Sequence, residues 1–226
     1  MSMCKAVTDA AFVHLAGIKS LNMCGCSQRT ITDAAFVPLA GIQSLDMSYC
    51  DHPTITDAAF VPLAGIQILN MNECNQPTIT DAAFVSLAGF QELSIALCDQ
   101  ATLTDDAFAP LVGIRVLNMG HCQQFTDAAF AHLRGIQALF MHNQCTITDA
   151  ALAHLEGIKC LVLYGHWFPF FTKVGLAHLQ GIARLHIGDG TPPSFSHWQR
   201  FIENAAHDLG LPVTRGDFEC TSLHFY

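Results

Sequence analysis

The sequence is poor in charge. Asp, Glu, Lys and Arg make up 13% of its 226 residues, and Lys plus Arg number 10. Those ten are scattered, without the basic stripe that a nucleic-acid groove needs, so nucleic acid is excluded as a partner. Long apolar runs are missing as well. None reaches the about 20 residues of a membrane-spanning helix, so we expect no membrane association. The start, MSMCKAVTDAAF, has no apolar core after a basic beginning and does not read as a secretion signal. There is no Asn-x-Ser/Thr sequon and no paired CxxC. HExxH, the nucleophile elbow, the P-loop and GxGxxG are all absent, so the chain is expected not to be an enzyme and to carry no cofactor or metal. With 51% apolar residues, the composition also excludes disorder.

What the chain does have is one phrase repeated, best seen in Ile31 to Cys50, ITDAAFVPLAGIQSLDMSYC. Its opening threonine recurs at Thr8, Thr32, Thr56, Thr80, Thr104, Thr126, Thr148 and Thr172, at intervals of 22 or 24 residues. A unit of that length cannot bury its own apolar face and must stack on its neighbours, which makes a solenoid. We read residues 1–190 as the solenoid. The pattern stops there, and 191–226 read as a C-terminal cap: a helix over Ser196 to Leu209 ended by Gly210, then a last strand over Glu219 to Tyr226.

Within the second copy, Thr32 is a helix N-cap flanked by Ile31 and Phe36, the arrangement in which two apolar residues clamp a helix start. Ala35, Phe36 and Leu39 form an apolar stripe at helical spacing. Pro38, Pro62 and Pro110 lie six residues past their caps, so these helices should be short and partly 3₁₀. Gly41 ends the helix. Leu45 and Met47 then alternate with Ser44, Asp46 and Ser48, as in a half-buried strand. Equivalent pairs run from Leu21/Met23 to Leu185/Ile187 and give eight parallel strands. The net charge of −9 is mostly local in origin: Asp9, Asp33, Asp57, Asp81, Asp105, Asp127 and Asp149 each follow a capping threonine, where a carboxylate meets the positive end of a helix.

The pattern L-x-x-L-x-L-x-x-C, with Cys26, Cys50, Cys74, Cys98 and Cys122 in its last position and Ile-Thr-Asp following, resembles the cysteine-containing leucine-rich repeats. The resemblance covers about Val7 to Gly190 and implies a curved α/β solenoid with parallel strands inside and short helices outside. That subfamily is best known from the substrate-binding half of F-box proteins in ubiquitin ligases. The resemblance therefore implies a substrate-receptor role, although these repeats are slightly shorter and no F-box precedes them. Later copies drift: Gln144 and His166 replace the cysteine, and His166 to Phe171 is strongly aromatic.

Ladder cysteines one strand apart lie within disulfide range but point the same way, so we read them as buried, inert thiols rather than metal or redox sites. Reduced thiols and the missing secretion signal place the chain in the cytoplasm or nucleus. His14, His132, His154 and His178 share one outer-face position and read as surface residues. The inner face is the better candidate. Asn22, Asp46, Asn70, Ser94 and Asn118 stand out of the early strands, whereas Phe140, His142, Tyr164 and His186 give the late strands an aromatic character. Repeat packing does not require Phe140 where earlier copies have Asn, Asp or Ser. We expect these nine residues to bind a protein partner. The alternatives are a structural repeat that self-associates through an uncapped N-terminal end, a small-ligand or enzymatic site around His142, Tyr164 and His186, and coverage of the aromatic patch by the C-terminal segment.

Overall fold

A threonine can close a helix start with its own hydroxyl, and every copy after the first begins that way, whereas Thr8 makes no such bond. In a computed structural model, which describes residues 7–142, 146–164, 171–188 and 206–214, Thr32 Oγ1 accepts from the Ala34 N–H. The caps from Thr56 to Thr172 repeat this bond. The winding beyond the cap depends on proline. The copies with Pro38, Pro62 and Pro110 wind as seven-residue 3₁₀ helices, Asp33–Leu39, Asp57–Leu63 and Asp105–Leu111. Proline has no N–H to give an α-helical turn and collides with the carbonyl four residues back. Copies without it start as a single α-turn, as in Ala82–Val85 and Asp127–Phe130. Gly17, Gly41, Gly65 and their equivalents then turn the chain at positive φ.

The strands are β1 (Ser20–Asn22), β2 (Ser44–Asp46), β3 (Ile68–Asn70), β4 (Glu92–Ser94), β5 (Val116–Asn118), β6 (Ala138–His142), β7 (Cys160–Tyr164), β8 (Arg184–Gly188) and β9 (Val213–Thr214). They form one parallel sheet in sequence order. A ninth strand comes from the closing segment, at Val213–Thr214, and pairs with Leu185 and His186. Residues 219–226, the expected boundary at 190 and most of the expected 196–209 helix lie outside the described residues. Gly210, the expected helix end, does adopt a left-handed φ of 70°.

The core lies between the sheet and the helices. Phe12, Phe36, Phe60, Phe84, Phe108 and Phe130 stack through it, one in each of the first six copies, with Leu152 and Leu176 in the last two and Leu21/Met23 and their equivalents on the strand side. Polar ladders run alongside. The aspartate after each cap does more than meet a helix end: Asp9 accepts both the N–H (2.8 Å) and the hydroxyl (2.7 Å) of Thr32 in the next copy. Asp33, Asp57, Asp81, Asp105, Asp127 and Asp149 hold Thr56, Thr80, Thr104, Thr126, Thr148 and Thr172 in the same way. Each threonine thus joins two copies while capping its own helix. The aspartate ladder ends at Lys173, which stands in the aspartate position and pairs instead with Asp208 at 2.9 Å. No helix among the described residues is long and apolar enough to cross a membrane.

Candidate binding surface

Strand alternation sends Leu45 and Met47 into the core and Ser44, Asp46 and Ser48 to the concave side. The register places Asn22, Asp46, Asn70, Ser94, Asn118, Phe140, Val162 and His186 in one row across the sheet. His142 and Tyr164 pair in the next row. All nine expected site residues therefore share the concave face, in two adjoining rows. Their accessibility differs. Asn22 is exposed, and Asp46, Asn118, His142 and Tyr164 are partly so. Asn70, Ser94, Phe140 and His186 are buried, so the open surface is narrower than the row of names suggests.

The early polar residues are occupied in holding the backbone. Asn22, Asp46, Asn70 and Asn118 each accept the N–H two residues on, at Cys24, Ser48, Asn72 and Gly120. Asp46 also accepts the Ser48 hydroxyl and the Asn22 amide. Ser94 has no such turn and donates to Asn72 Oδ1 in the preceding copy. Sequence patterning places these side chains on the inner face but does not reveal this local work.

The late strands differ in kind. Phe140 and Val162 form an apolar cluster separate from the core, edged by Val116, Ala138, Cys160 and Tyr164. Beside it runs a file of rings in edge or tilted contact. The His121–His142, His142–Tyr164 and Tyr164–His186 centroids are 5.8, 4.8 and 5.2 Å apart. Gly120 makes the file possible, because a Cβ there would lie 3.2 Å from His142 Cβ and Cγ. Burial, with His121 beside it, lowers the His142 pKa to about 4, so the ring is neutral at pH 7. His186 Nδ1 lies 3.0 Å from the Thr214 hydroxyl, tying the file to β9.

A further row escaped the sequence reading. One residue before each ladder cysteine the chain turns left-handed: Gly25 does so in the first copy, and Tyr49, Glu73, Leu97 and His121 in the next four. Their N–H groups donate to the carbonyls of Ser48, Asn72, Ala96, Gly120 and His142, each in the following copy, so the side chains form a file along the rim of the concave face. Tyr49 is 53% and Leu97 40% exposed. The Glu73 carboxylate beside the Tyr49 hydroxyl raises its pKa above the ordinary 10.0. Gly25, aligned against four larger residues, was the signal that this position has positive φ.

Charge is also uneven. From residue 30 to residue 114 there is no Lys or Arg, against 10 Asp and Glu. Four of those ten are ladder aspartates, leaving Asp46, Asp51, Glu73, Glu92, Asp99 and Asp106. Among them, Asp46 and Glu92 belong to β2 and β4, and Glu73 is in the rim file.

The cysteine ladder is built into the core. Cys50, Cys74, Cys98 and Cys122 each donate a thiol hydrogen to a carbonyl of the preceding copy, at Met23, Met47, Met71 and Ile95. Burial pushes the Cys50 and Cys98 thiols up to about 12 and raises Cys74 and Cys122 as well. A thiol that stays protonated is neither nucleophile nor metal ligand. His14 and His178 are exposed, and His132 and His154 are partly buried. Among the described residues no group of three or more His, Cys, Asp or Glu is placed to hold a metal ion. Gln144, Cys145 and the stretch from His166 to Phe170 lie outside the described residues.

No family model matches the sequence, and no curated protein aligns with it. Solved structures do match. Internalin C2 of Listeria monocytogenes superposes with a TM-score of 0.60 at 22% identity, over 93% of this chain and 85% of that one. TLR13, solved in complex with a single-stranded RNA, gives 0.56 at 19% identity, over 76% of this chain and 24% of that one. At such identities the likeness speaks for the fold. Nine parallel strands in one sheet among the described residues, backed by short helices and matched by these neighbours, make the fold a leucine-rich-repeat solenoid.

Proposed function

We infer that the chain is a protein-interaction module that binds its partner through the concave face. The observation that supports this is the ring file His121–His142–Tyr164–His186 beside the Phe140/Val162 cluster. Stacking of the copies does not call for these residues. The same two rows hold Asn, Asp, Ser, Cys, Ala and Gly in earlier repeats, and the parallel sheet is continuous there. Aromatic side chains are the usual anchors of protein interfaces. The partly open members, His142 and Tyr164, together with Asn22, Asp46 and Asn118, are the contact residues in this reading. Buried Asn70, Ser94, Phe140 and His186 support them from behind. The module itself performs no chemistry and needs no cofactor.

A sharper form, supported by the likeness to cysteine-containing repeats, is a substrate receptor that works with an F-box supplied elsewhere. The ladder thiols act as hydrogen-bond donors, a role that requires reduced sulfur, and this favours the cytoplasm or nucleus. The experiment is affinity capture from lysate with the wild-type chain beside a His142→Ala/Tyr164→Ala variant. A protein held by the first and lost by the second, at unchanged thermal stability, supports the reading. Equal capture by both contradicts it, and an F-box protein among the captured species supports the sharper form.

A further inference from the structure

Four successive copies hold Tyr49, Glu73, Leu97 and His121 in a left-handed backbone that the first copy fills with glycine. Side chains other than glycine are disfavoured in that conformation, so the fold alone gives no reason for them. Two of the four, Tyr49 and Leu97, leave large apolar surfaces in solvent on one line, one copy apart from Glu73 on either side. Such surface, repeated in register, marks a contact site.

The occupant is set by charge. Three of its four residues, Tyr49, Glu73 and Leu97, lie within the stretch from residue 30 to residue 114, which has 10 acids and no Lys or Arg, and His121 follows just beyond it. Asp46 and Glu92 on the strands and Glu73 within the file add negative potential to a surface with no cation of its own segment to offset it. A second copy of this chain brings the same acidic stretch and is repelled. An RNA, with a charge on every phosphate, is repelled more strongly. We propose that the rim file Tyr49–Glu73–Leu97–His121 docks an extended polypeptide segment in which Lys or Arg alternates with apolar residues. The cations pair with Glu73, Asp46 and Glu92, and the apolar residues pack on Tyr49 and Leu97. The proposal rests on reading the concave side as a protein-binding face, and it names the partner's chemistry and a separate set of contacts.

The test is fluorescence anisotropy with a labelled (Lys-Leu-Lys-Gly)₃ peptide, its Glu-for-Lys counterpart and a 12-nucleotide single-stranded RNA. The lysine peptide should bind, more weakly as salt rises, and the other two should not. Tyr49→Gly/Leu97→Gly should weaken binding by about tenfold while leaving the melting temperature equal or higher, because glycine suits the left-handed backbone. Glu73→Gln should weaken binding, and Asp106→Asn, the same charge change on the exposed outer side, should not. Binding of RNA or of the glutamate peptide, no binding of the lysine peptide, or equal affinity in the glycine variant overturns the proposal. If capture of the natural partner depends on His142 and Tyr164 but survives the glycine variant, the rim fails while the concave-face reading stands. If both variants capture normally, both fail.

Discussion

Cys74 shows how the same residue can look functional in a sequence and be structural in the fold. Regular cysteines invite a redox or metal explanation, yet the Cys74 thiol is sealed in the core and donates to Met47 O at 3.1 Å. Brief maleimide labelling of the native protein should therefore modify Cys24 and Cys160, which are partly exposed, and spare Cys26, Cys50, Cys74, Cys98 and Cys122 until the chain is denatured. Peptide mapping by mass spectrometry reads this directly, and labelling of Cys74 in the native state would contradict it. His142 contributes to the pH dependence, as does buried His52, whose pKa burial also lowers. The folded pKa of His142, about 4, is below the ordinary 6.5, so the unfolded chain takes up a proton first. The stability owed to the neutral ring is complete above about pH 6.5 and drains away as the pH falls towards 4. His142→Asn should flatten that part of the stability curve in denaturant titrations at pH 7, 5.5 and 4.5. An unchanged slope would show that His142 is not its source.

At the scale of the repeat, much was legible because each element depends on local chemistry. Thr32 caps, Phe36 fills the core behind it, Pro38 tightens the helix, Gly41 turns the chain, and Leu45 and Met47 alternate into the core. What was not legible depends on the neighbouring copy. Asp33 reads as a helix-end charge until Thr56 is seen to give it two hydrogen bonds. Asn70 reads as an exposed contact residue until its turn to Asn72 and its burial are known. The left-handed rim was readable from Gly25 but requires aligning a glycine with Tyr49, Glu73, Leu97 and His121. The final strand is a matter of edge pairing rather than propensity: β8 is completed by Val213–Thr214. The rungs can be tested singly. Asp57→Ala leaves the Thr80 N–H and hydroxyl without their acceptor and should lower stability by about 2 kcal/mol in urea titrations. Lys173→Ala, which breaks an exposed ion pair, should have a much smaller effect. Equal losses would show that the aspartate ladder is not what joins the copies.

For the whole molecule, the repeat explains the architecture and the departures from it point to function. Sheet, phenylalanine stack, aspartate ladder and cysteine ladder recur from copy to copy and are accounted for by stacking. The ring file, the Phe140/Val162 cluster and the cation-free acidic stretch do not recur, and they lie on or beside the concave side. The outer side offers a competing surface, since Val37, Val61 and Val85 are exposed in register on the helices. The most direct test is hydrogen–deuterium exchange of the chain with and without the protein it captures. The account predicts slowed exchange in the strands of the concave face, β1, β2 and β5 to β7, with the outer helices unchanged. Protection confined to the helices around Val37, Val61 and Val85 would contradict it and move the binding face to the outside of the solenoid.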